Sequence, residues 1–73
     1  MAAEMSRVLW WQALEVHLRA ARTHQESAET LSRFGDVTDA IRATEFAVAE
    51  RDAYAALLAR HPEWDAGPSA IER

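Results

Sequence analysis

Apolar residues recur at helical spacing through most of this chain, and over an arc wider than one neighbour can cover. In the first half, at about 100° per residue, Glu4, Gln12, Glu15, Arg19, Arg22, Glu26, Glu29, Thr30 and Arg33 fall in one polar wedge of roughly 80°, with Val8 intruding. The rest of the turn holds Met5, Leu9, Trp10, Trp11, Leu14, Val16, Leu18, Leu31 and several alanines. An ordinary surface helix shows an apolar stripe a little over 100° wide, and this one is about twice that. In the second half the main stripe is Val37, Ala40, Ile41, Ala43, Thr44, Ala47, Val48, Tyr54, Ala55, Leu58 and Ala59. A second strip, Phe46, Ala53 and Leu57, points elsewhere, and Arg42, Glu45, Asp52 and Arg60 cover the solvent side.

Glycine and proline set the boundaries. Neither interrupts residues 2–34 or 36–61. The pattern predicts a helix from about residue 3 to 33, a turn over 34–38, a helix from about 38 to 60, and a tail over 61–73. Gly35 suits the left-handed position that ends a helix. Asp36 or Thr38 is the expected cap of the second helix, and Asp39 adds negative charge to its first turn. Pro62 disfavours helix at His61. So short a connection makes the helices antiparallel neighbours. The fold class is all-α, a two-helix hairpin with a short C-terminal tail. In the tail, Trp64 is an anchor for the hairpin or for a partner, and Ser69-Ala70-Ile71-Glu72 has capping-box spacing.

A chain of 73 residues makes one small domain, and a lone core of that size is marginal. Small scaffolds gain stability from disulfides, metals or partner subunits. Cysteine is absent, which excludes disulfides and thiolate metal sites. A single hairpin would leave Trp10, Trp11, Phe46 and several leucines wet, and burying each large side chain is worth about 1.5–3 kcal/mol. A two-fold dimer completing a four-helix bundle is the simplest closed solution; a place in a larger assembly is the alternative. The expected partner-binding residues are Trp10, Trp11, Leu14, Leu18, Phe46, Leu57 and Trp64. Adjacent helical residues diverge by about 100°, so Trp10 and Trp11 cannot both face one neighbour. One is expected to fill the hairpin core while the other meets a second chain.

Three polar residues sit on apolar arcs. His17 and His24 are two turns apart, roughly 10 Å, too far to share one metal within a chain. They are expected to hydrogen-bond at a helix interface. Arg51 falls near the middle of the second stripe, where a buried guanidinium would need a carboxylate or carbonyl partner or would snorkel past its neighbours.

The net charge of −4 argues against nucleic acid, which needs a basic stripe. The apolar run Val8–Trp11 is too short for a secretory core or a membrane span, which favours the cytoplasm. All eight basic residues are arginine, and lysine and asparagine are both absent. That is the coding bias of a GC-rich genome, a bacterium or its phage. No nucleophile constellation, phosphate loop or dinucleotide fingerprint appears, so neither enzyme activity nor a cofactor is expected. Two further readings stand beside the structural subunit. One is a small acidic regulator of a larger protein machine, with Glu15, Glu26 and Glu29 as its acidic face. The other is a metal-binding bundle resting on His17 and His24.

One local resemblance concerns the turn. Gly35-Asp36-Val37-Thr38-Asp39-Ala40-Ile41, followed by Ala47-Val48, is similar to the helix–turn–helix junction of a tetratricopeptide repeat, with Ala28 and Leu31 also in place. His24, Ser27 and Asp52 depart from that pattern, and no second repeat follows. The resemblance implies shared turn chemistry rather than membership.

Overall fold

A computed structural model describes residues 6–64. Two helices, α1 (Arg7–Arg33) and α2 (Val37–Arg60), are followed by a single 3-10 turn, Pro62–Trp64. The chain is an all-α helical hairpin. The capping-box segment 69–72 lies outside the described residues.

Each helix starts where a side chain replaces a missing backbone partner. Ser6 is extended (φ −69°, ψ 156°), and its hydroxyl accepts the Leu9 N–H at 3.1 Å. The first helix therefore begins at Arg7, later than the expected start near residue 3: a serine positioned to cap satisfies an orphan donor. Asp36, rather than Thr38, caps α2, accepting the Asp39 N–H at 3.2 Å.

The end of α1 is a Schellman arrangement. The Asp36 N–H reaches the Leu31 carbonyl at 2.9 Å, and the Gly35 N–H reaches Ser32 at 3.1 Å. Gly35 carries φ 80°. A Cβ there would meet nothing within 4 Å, so the cost of a side chain is conformational alone. Gly35→Ala should lose about 1–2 kcal/mol, read as a lower melting temperature at unchanged helicity.

The core changes character along the hairpin. At the open end, Trp10, Leu14 and Leu57 are buried, with Trp11, Ala13, Tyr54, Leu58 and Trp64 packed against them. Toward the turn, the buried residues are Ala21 and Ala28 on α1 and Ala43 and Ala47 on α2. Small side chains on both sides let the backbones approach closely. That close approach narrows what α2 buries. Val37, Ile41 and Val48, expected on the hairpin-facing stripe, stand 62%, 55% and 48% exposed. The alanines take the contact line, and the branched residues beside them are turned outward.

Trp10 is fully buried. Its indole N–H donates to the Leu57 carbonyl at 2.8 Å. That carbonyl lies in the last turn of α2, and the His61 N–H that would ordinarily reach it goes to Leu58 instead. The indole thus satisfies an acceptor that the helix end leaves free. Trp11, His61 and Trp64 surround the ring edge-to-face, with centroids 5.1, 6.1 and 5.6 Å away. Trp64 lies flat on His61, with centroids 3.8 Å apart and planes 11° apart. The 3-10 turn that follows Pro62 folds this pair back over the open end.

Candidate interaction surface

The residues expected to bind partners divide into two groups. Trp10, Leu14 and Leu57 lie inside the protomer's own core, and Trp64 packs against that core. Trp11 is half-buried, Leu18 is at the surface, and Phe46 is 53% exposed.

The helix geometry puts the outward apolar residues on two broad faces. On one face, Val8, Trp11, Leu14 and Leu18 of α1 and Tyr54 of α2 line a cleft of about 450 Å³ near the open end. Near the turn, Gln25, Ala28 and Ser32 of α1 and Val37, Ala40, Ile41 and Thr44 of α2 line another of about 600 Å³. Trp11, Leu18, Gln25 and Ser32 recur every seventh residue, which keeps both clefts on one side of the hairpin. The opposite face carries Phe46, whose ring lies 5.3 Å from that of His24, together with Leu9 and Val16.

Neither histidine nor Arg51 is buried. His17 Nδ1 and Glu50 Oε2 are 2.7 Å apart across the two helices, both groups about one-third exposed. Arg51, expected amid apolar neighbours, is exposed, and its guanidinium donates to Gln25 Oε1 at 2.8 Å. Helical side chains lean toward their own N-terminus. In antiparallel helices Arg51 and Gln25 therefore lean toward one another, which lets so offset a pair meet.

The polar surface is open. Glu15 pairs with Arg19 at 2.6 Å on the solvent side, and Glu26 and Glu29 are exposed. Glu63 is held below the ordinary carboxylate range, first by its side-chain hydrogen bond to His61 and then by a backbone hydrogen bond. That contact favours the folded turn above the ordinary carboxylate range and is lost as pH falls through the lowered value.

Among the described residues no group of three His, Cys, Asp or Glu side chains converges to hold a metal ion. None of the described helices is long and apolar enough to cross a membrane. Two donors are covered from solvent without a hydrogen-bond partner among the described residues: Trp11 Nε1, at the first cleft, and Arg7 Nε.

Val37, Ile41 and Val48 belong to the main apolar stripe of the second half yet lie at the surface. A signal for them existed. Val37, Ile41, Thr44, Val48, Arg51, Ala55 and Leu58 follow one another at steps of four and three, the spacing of a coiled-coil seam. That seam is distinct from the alanine line of Ala43 and Ala47.

No family model matches the chain, and no curated protein or solved structure is significantly similar to it.

Proposed function

We propose that the protein is a non-enzymatic structural or interaction subunit that works by associating with copies of itself through its apolar helix faces. Its arginine-only basic residues further suggest a GC-rich bacterium or its phage as its source. The observation that carries the reading is the branched apolar surface left outside the hairpin, with Val37, Ile41 and Val48 all about half exposed or more. Isolated exposed apolar residues are ordinary, whereas grouped ones on one face mark association. The layering of the fold agrees, since two helices packed side by side make a single layer. Domains ordinarily close a core between at least two layers.

Association that stabilises the folded chain makes melting depend on concentration. The melting temperature of the purified protein should rise steadily over a hundredfold range of concentration. A midpoint that stays fixed across that range would count against self-association.

A further inference from the structure

We propose that the outward seam of α2 is the self-association interface, and that its occupant is the same seam of a second copy lying antiparallel across a two-fold axis near Val48. This rests on the self-association reading and specifies its surface and geometry.

The seam runs Val37, Ile41, Thr44, Val48, Arg51, Ala55 and Leu58, and all but Leu58 are exposed. It extends for almost the whole of α2, and Val48 lies at its middle. Its two polar members already have partners inside the chain. The Thr44 hydroxyl donates to the Ala40 carbonyl at 2.9 Å, and Arg51 is drawn over α1 by Gln25. Covering the seam therefore strands no hydroxyl proton, and it leaves the Arg51 guanidinium with the Gln25 side chain as its hydrogen-bond partner.

The area suits a second copy. Two rods roughly 36–40 Å long lying side by side present a face of roughly 800 Å². That is about what each partner contributes to a standard interface. The clefts on this face continue the seam onto α1 through Trp11 and Leu18 at the open end.

Charge among the described residues favours the antiparallel arrangement. The half of the hairpin nearer the turn carries Glu26, Glu29, Asp36, Asp39 and Glu45 against three arginines. The described part of the open half balances four arginines with four carboxylates. A parallel pairing sets two acidic turn ends side by side. An antiparallel pairing lays each turn end along the described part of its mate's open half, where the charges balance. It also brings Val37 and Ile41 of one copy toward Leu58 and Ala55 of the other.

The absence of native cysteine makes the geometry directly testable. Val48→Cys places two thiols close together across the axis. Val37→Cys places them about 30 Å apart, and Phe46→Cys places them on the opposite face. Each full-length variant is confirmed helical, then oxidised or treated with a short bismaleimide at dilute concentration. The expected result is a covalent dimer for Val48→Cys and little for the other two. Ile41→Cys combined with Ala55→Cys in one chain should also link between copies, because those two sites are about 20 Å apart along their own helix. If Val48→Cys is helical and dimeric but does not link, or Val37→Cys links as readily, this interface is wrong while self-association stands. If Val48→Cys does not fold, the Ile41→Cys/Ala55→Cys pair decides by the same criterion. A wild-type chain that is monomeric at every concentration removes both.

Discussion

Replacing Trp10 with alanine is expected to unfold the hairpin. Trp10 is the largest fully buried side chain, with 0% exposure, and three rings pack around it. Truncating a buried tryptophan costs about 3–5 kcal/mol. At roughly 0.05–0.15 kcal/mol per residue, a chain this short has only several kcal/mol in total. The variant should lose most of its far-ultraviolet helical signal at room temperature. Trp10→Phe separates two contributions. It keeps most of the packing but leaves the Leu57 carbonyl without its 2.8 Å donor, so a smaller loss, about 1–3 kcal/mol, is expected. Retention of a wild-type denaturation midpoint by Trp10→Ala would show that the open-end cluster does not hold the helices together.

The second large effect is expected at the alanine line. Ala47 is 1% exposed and Ala21 is likewise 1%, so neither helix has room for a longer side chain there. Ala47→Leu should destabilise the hairpin by about 1–3 kcal/mol through overpacking, although leucine is apolar and a good helix former. Ala55→Leu is the matched comparison, because Ala55 is exposed on the α2 seam. It should be tolerated, and under the proposed pairing it should tighten association. Chemical denaturation of both variants at one fixed concentration checks the contrast. Equal midpoints would mean that the helices are not held at alanine distance.

These two sites also show what could be read from sequence. The hairpin itself was legible because its punctuation is unambiguous: Gly35 at the left-handed position, Asp36 as a cap, Pro62 after the last turn. The width of the apolar arc on α1 correctly suggested more apolar surface than one neighbour covers. The division of labour within that surface was not legible. A helical wheel gives direction but not distance, and alanine lets two backbones approach until wider neighbours fall outside the contact. Val37, Ile41 and Val48 are therefore outward despite lying on the stripe that includes Ala43 and Ala47. Conversely, Leu57 falls on the strip that points away from the main stripe, yet it is buried at the open end, where Trp10 donates to its carbonyl. Leu14 reads as equally apolar and equally available from its sequence position, and the structure places it in the core. Arg51 was expected to need a partner inside an apolar stripe. Its actual partner, Gln25, is far from it in helix register, and only the lean of long side chains along their helices brings the two together.

Light scattering coupled to size exclusion, across a range of loading concentrations, tests self-association most directly. A mass near twice the 8.2 kDa of one chain is expected, falling toward a single chain only on strong dilution. A fully helical species that stays at 8.2 kDa up to its solubility limit would contradict it.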